Sequence, residues 1–208
     1  MPKAKAQESG PLSFRDLLSG TEGRILAAAF DCIAEEGVAK TTTRAITDRA
    51  GLPRGILHYH FRSKEEVLLR LLSVLFENFT RVTSRTAALD IPPLAKIDLI
   101  LDSGLTLLSS RRDEFVVMVN LWTHAMAEGG EPRSVYQQLF ARFRSAVSEA
   151  VEEGERQGVF RSGSASTLPL IIVGLVEGAG IQYVMDDTAG DLAIVTEAMK
   201  TLIRTIRT

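Results

Sequence analysis

The 208-residue chain predicts an all-α fold of about nine helices: an N-terminal three-helix unit containing a helix-turn-helix, then a C-terminal helical domain. Three observations carry this. Apolar residues recur three and four apart through most of the chain, the period of a single buried helix face. Gly and Pro punctuate those runs where helices stop or start. Segments of alternating, strand-like character are few. The expected divisions are a tail over residues 1–20, the helix-turn-helix unit over 21–66 and the second domain over 67–208.

Composition narrows the class. Hydrophobic residues make up 45% and charged residues 24%, which suits a globular chain rather than a disordered one. Cys32 is the only cysteine, so no intramolecular disulfide can form. It falls on the apolar stripe Ile25, Ala29, Cys32 and Ile33, where a buried thiol is expected. The most apolar run, residues 168–185, contains Pro169, Glu177 and Gln182, which argues against a membrane span. The N-terminus lacks the apolar core of a signal peptide, so the expected compartment is the cytoplasm.

Residues 1–20 mix Pro, Gly, Ser and Lys and read as a mostly disordered tail, with residues 14–18 offering one extra turn. Lys3 and Lys5 carry the charge of a minor-groove arm, although a solvated tail is the simpler role. The first helix begins near Thr21, with Glu22 at its positive end, and stops at Gly37. Residues 41–64 then organise the rest. A short helix opens at Thr42 or Thr43, whose hydroxyls accept from first-turn N–H groups. Ala45, Ile46 and Ala50 face inward, and Gly51 ends the helix where a positive φ is cheapest. Leu52 anchors the turn, and Pro53 pre-sets φ for a second helix over about 54–61, with Leu57 and Phe61 inward. Two short helices around such a turn form a helix-turn-helix, whose second helix can enter a DNA major groove.

Charge points the same way. Residues 41–64 hold Arg44, Arg49, Arg54, Arg62 and Lys64 against Asp48 alone, in a chain of net charge −2. A basic face on an acidic protein suits phosphate binding, which draws its affinity from counterion release. Arg44 and Arg54 are the candidates for base edges, since Arg bidentate to guanine is the commonest specific contact. Thr42, Tyr59, His60 and Lys64 are assigned to phosphates, with Thr43, Pro53, Gly55 and His58 as further DNA-contact candidates.

The ordered pattern over residues 23–69 resembles the N-terminal domain of TetR-family transcriptional regulators. Its features are the apolar helix ending in Glu36 and Gly37, the Thr-Thr pair, Ile46, Ala50 and Gly51, Gly55, Leu57, Phe61, and Ser63, Lys64 and Glu65. The chain departs from the family where Pro53 replaces the usual Ser or Thr cap, and where His58 and His60 stand in place of common tyrosines. The resemblance implies a homodimeric, ligand-responsive DNA-binding protein. It also implies a four-helix interface built from the last two helices of each chain.

Downstream, Ser63 caps a long helix carrying Val67, Leu68, Leu71, Leu72, Leu75, Phe76 and Phe79. No flexible linker separates it from the helix-turn-helix, so one stiff element serves both domains. Leu94 to Leu108 mark the next helix. After Asp113 and Glu114 comes a helix apolar on more than one face, expected to be buried on all sides. A longer helix runs from about Tyr136 to Arg156, and the last two cover about 165–185 and 191–206, the latter with the stripe Leu192, Val195, Met199, Leu202 and Ile206.

Polar residues inside apolar helices mark a small-molecule cavity. Its candidate lining is Phe115, Met118, Trp122, His124, Met126, Phe140, Phe143, Glu177 and Gln182. Glu177 either pairs with an arginine across the subunit interface, the preferred role, or meets a cationic ligand. Gly174, Gly178 and Gly180 leave a smooth surface for self-association or for packing within the chain. No glycine-rich nucleotide loop or metal-ligand spacing is present, so no cofactor or metal is expected. Nucleophile–base spacing is also absent, so an enzyme is not expected. The expected function is a homodimeric regulator, repressing at a double-stranded palindromic operator and released by a small apolar or amphipathic effector. The alternative is a small-molecule binding protein whose helix-turn-helix does not act on DNA.

Overall fold

The computed structural model describes residues 13–186 and 190–205, less the side chains of Asn78, Phe79 and Leu107. Lys3, Lys5, Ile206 and the Phe79 side chain of the expected stripe therefore lie outside the described residues. A 3-10 turn over Phe14–Leu17 precedes nine α-helices among the described residues. They are α1 (Gly20–Lys40), α2 (Thr43–Ala50), α3 (Arg54–His60), α4 (Lys64–Ala87), α5 (Pro93–Ser110), α6 (Arg112–Glu128), α7 (Gly130–Arg156), α8 (Leu168–Met185) and α9 (Leu192–Thr205). A second 3-10 turn, Ser164–Ser166, leads into α8.

Local chemistry sets the boundaries. Gly37, at φ 78° and ψ 169°, breaks the helical path of α1 before a final turn to Lys40; only glycine takes that conformation cheaply. The Ser63 hydroxyl accepts from Glu66 N–H at 3.2 Å, and the Glu66 carboxylate accepts from Arg62 N–H at 2.7 Å. These bonds fix the start of α4 directly after the helix-turn-helix.

Two apolar cores form. The first joins α1, α2 and α3 to α4 through Ile25, Leu26, Ile33, Ile46, Leu57, Leu68, Leu71 and Leu72, and also takes in Val117 and Leu121 of α6 and Leu139 of α7. The second gathers α5, α7, α8 and α9 around Ile97, Leu101, Val147, Ile172, Val173 and Ile203. The helix-turn-helix unit therefore shares its core with the second domain, chiefly because α1 packs on α6 as well as on α4. α8 is long and apolar enough to cross a membrane by composition, yet Ile172, Val173 and Val176 are buried among its neighbouring helices.

Two expectations need correction. Residues 13–20 belong to the folded body: Phe14 is 1% exposed and stacks on Phe30 with ring centroids 4.3 Å apart. Arg15 reinforces the turn by pairing with Asp31. The extra turn expected over residues 14–18 is present as Phe14–Leu17; its packing onto Phe30 was not legible because four residues carry no periodicity. The second correction concerns α6, which is not buried on all sides. Its C-terminal half lies on α1 by one face only, leaving Thr123 and Met126 exposed.

Truncating a buried Phe typically costs about 3–5 kcal/mol. Phe14→Ala should therefore lower the thermal midpoint by several degrees, followed by circular dichroism. An unchanged midpoint would show that the turn adds nothing to the core.

Candidate nucleic-acid interface and ligand cavity

The helix-turn-helix is held from three sides. Thr42 caps α2, its hydroxyl accepting from Ala45 N–H at 3.1 Å. Gly51 turns the chain at φ 62° and ψ 40°, and Leu52 N–H donates to Thr47 O at 3.0 Å. From α1, Arg24 donates to the Ala50 carbonyl at 2.7 Å. Pro53 stands at the N-cap of α3 with φ −58° and no side-chain cap. Leu57 faces fully inward while Tyr59 is 83% exposed, so α3 presents an outer face of Arg54, Gly55, His58 and Tyr59. His60 is half-buried, its ring edge-on to Tyr59 at 5.2 Å.

Not every expected cation faces outward freely. Arg49 pairs with Glu35 of α1, with Nη1 2.6 Å from Oε1, and this partner holds the Glu35 carboxyl below its usual range. Lys64 Nζ donates to the Val38 carbonyl at 3.2 Å, which ties α4 to the end of α1. Arg44 makes only a loose, exposed pair with Asp48 at 3.5 Å. Arg54 and Arg62 are exposed. Sequence reasoning counted charges along the segment and could not see Glu35 or the Val38 carbonyl arriving from another helix.

In the second domain a cavity of about 50 Å³ lies among five helices. Leu75 and Phe76 come from α4, Gly104 and Leu108 from α5, Glu114, Phe115 and Met118 from α6, Phe140 and Phe143 from α7, and Val176 and Glu177 from α8, with Arg111 at the mouth of α6. The structure thus brings together Phe115, Met118, Phe140, Phe143 and Glu177 of the expected lining.

Four expected residues lie elsewhere. Trp122 stacks on Tyr136 at 5.7 Å in an aromatic cluster beside the cavity. His124 is committed to Glu65, Nε2 to Oε2 at 3.0 Å. Met126 is 55% exposed, and Gln182 is exposed on the outer side of α8. These follow from helical phase: residues four and eight beyond Met118 drift off the cavity, Trp122 onto Tyr136 of α7 and Met126 into solvent, while Gln182 is five beyond Glu177 and falls on another face.

Arg111 and Glu114 were missed as cavity residues. Glu114 shares the face of Met118 four residues on, but at a helix start it reads as a dipole-compensating charge. It is in fact 8% exposed. Its Oε1 accepts from Arg111 Nη1 at 3.1 Å, Phe14 N–H at 3.0 Å and the Ser13 hydroxyl at 3.3 Å. One carboxylate oxygen thereby joins the cavity wall to the turn that anchors α1.

Glu177 is in a different state. Its Oε1 is buried with no hydrogen-bond partner among the described residues. Desolvation pushes its carboxyl up to about 7, against the opposing pull of the Arg144 charge. Glu177 is one of the residues that line the chain's own cavity. Cys32 is buried as expected, and burial raises its thiol.

A DNA-reading helix pair rigidly packed on a helical domain with an internal cavity defines a one-component regulator, and the comparisons agree. Residues 25–71 match the model of bacterial regulatory proteins of the tetR family. Residues 93–208 match the C-terminal model of the BetI-type transcriptional repressor. The chain belongs to the TetR family of transcriptional regulators. Among curated relatives, the transcriptional repressor KstR2 of Rhodococcus jostii is 26% identical over 150 residues, 71% of this chain and 72% of that protein. FadR of Bacillus subtilis, solved with stearoyl-CoA, superposes with a TM-score of 0.78 at 20% identity, covering 89% of this chain and 98% of that one. A regulator of Saccharomonospora viridis, solved with choline, gives 0.75 at 23% identity, covering 88% and 94%.

The strained acid makes a stability prediction. A carboxyl raised in the folded state, from 4.5 to about 7, holds a proton that the unfolded chain gives up. Stability therefore falls as pH climbs through that window. Glu177→Gln removes the penalty, so its midpoint should exceed the parent's at pH 8 and nearly equal it at pH 4. Equal shifts at both pH values in thermal melts would contradict the buried-acid assignment.

Proposed function

We propose that this chain is a homodimeric cytoplasmic repressor that binds a palindromic operator through α3 and leaves it when a small apolar or amphipathic effector enters the cavity. One observation carries the reading: α6 walls the cavity at Glu114, Phe115 and Met118 and also holds the DNA-reading unit at both ends. Glu114 binds the Phe14 turn, and His124 binds Glu65 in the first turn of α4. Any ligand that displaces α6 must disturb one grip or the other.

The surface supports a dimer. Leu170, Ile171, Ile181 and Met185 of α8 and Ile194 and Leu202 of α9 are exposed apolar side chains. A Cβ at Gly174 or Gly178 would meet nothing within 4 Å, whereas one at Gly180 would lie 2.6 Å from the Phe115 ring. Gly180 serves packing inside the chain, and the other two leave a flat outer face that a second copy can approach closely. On α3, a Cβ at Gly55 also meets nothing, which suits close approach of backbone to DNA rather than an internal constraint. The ligands named for the two structural neighbours, stearoyl-CoA and choline, carry opposite charges, so likeness of fold leaves the effector's head group open.

Selection of bound sequences from random duplexes, followed by anisotropy titrations, tests the reading. A palindrome with half-sites about one or more helical turns apart is expected, with affinity falling steeply in salt. Arg54→Ala should cost about 1–3 kcal/mol on the selected site and relax one position. The same loss on scrambled DNA would remove Arg54 from base recognition. Absence of any salt-dependent duplex binding would favour a ligand-binding protein that does not act on DNA.

A further inference from the structure

Two features of the cavity bear on what it accepts. Its one basic lining residue among those described, Arg111, is already neutralised by Glu114 at 3.1 Å. Glu177, by contrast, presents a buried oxygen with no donor among the described residues. Buried acceptors are rarely left this way, because each forfeits the worth of a hydrogen bond to water. The walls add Phe76, Phe115, Phe140 and Phe143, whose ring faces attract cations. An anionic head would have to share Arg111 with Glu114 and approach a second acid. A neutral hydroxyl would supply a donor but no charge.

We infer that the effector is an organic ammonium with at least one N–H, a protonated amine on an apolar body, whose nitrogen donates to Glu177 Oε1 while the body lies among the phenylalanines. This rests on the cavity being the effector site. The N–H matters because the orphaned atom is an acceptor. The positive charge matters because the ionised carboxylate has no counter-ion at bonding distance among the described residues. From α7, Arg144 acts only through its field, and Tyr136 faces the same charge, which helps to raise its phenol. From α6, Arg111 and Glu114 face the cavity as a closed pair.

Ammonium binding requires ionised Glu177, so affinity should rise with pH below about 7, by at most about tenfold per unit, and flatten above.

Trp122 is the only tryptophan and adjoins the cavity through Phe140, so its fluorescence reports occupancy. Decylamine, decanol and decanoate share one tail and differ in head group. At pH 7.5 decylamine should bind the full-length protein about tenfold or more tighter than the other two, the worth of one charge-assisted hydrogen bond. Glu177→Gln should remove that preference, and a cooperative thermal transition by circular dichroism shows that the variant is folded. Decanoate binding as tightly as decylamine, or a preference that survives in Glu177→Gln, would overturn the ammonium assignment while leaving the cavity as an effector site. Failure of all three probes to bind would overturn the ammonium assignment and the cavity's effector role together.

Discussion

Glu114 shares one buried oxygen among the arginine that precedes its helix, a hydroxyl, and the backbone N–H of a residue one hundred positions earlier. A charge in such a place is tolerated only when its neighbours satisfy it, and removing a partner from a buried pair costs about 3–5 kcal/mol. The turn that supplies Phe14 is therefore not free to leave, and α1 cannot move without it, since Phe14 stacks on Phe30. The same carboxylate stands in the cavity wall. Whatever enters the cavity meets the group on which the seating of the first helix depends.

The second grip complements the first. His124 lies ten residues along α6 from Glu114, nearly three turns, and meets Glu65 immediately after the cap of α4. α4 also contributes Leu75 and Phe76 to the cavity. Two stiff helices thus run from the cavity to the base of the helix-turn-helix, and packed interfaces of this kind settle in discrete arrangements rather than deforming smoothly. The first core shows the same design, because Val117 and Leu121 of α6 and Leu139 of α7 are part of what stabilises α1 and α4.

Much of this was legible in the residues. The helix-turn-helix was readable because its turn uses Gly51 and Pro53, whose backbone preferences act locally and need no knowledge of the rest of the chain. The all-α architecture was readable because stripes such as Leu68, Leu71, Leu72 and Leu75 have only one regular solution. The cavity was half readable: Phe115 and Met118 announce an apolar face, but helical phase alone could not say which neighbours would close around it. His124 went to Glu65 of α4, while Met126 and Gln182 turned to the exterior. What stayed hidden depends on contacts between distant elements. Phe14 looks like a stray aromatic in a polar tail until Phe30 comes beneath it, Arg49 looks available until Glu35 reaches it, and Glu114 looks like an ordinary first-turn acid.

The central claim is that one body couples the cavity to the DNA face, and coupling between two binding sites is reciprocal. Decanol, as a neutral cavity probe followed by Trp122 fluorescence, should bind more weakly when the protein is saturated with its selected operator duplex. The factor should equal the one by which decanol weakens operator binding. Decanol affinity that is the same with and without the operator would contradict the account.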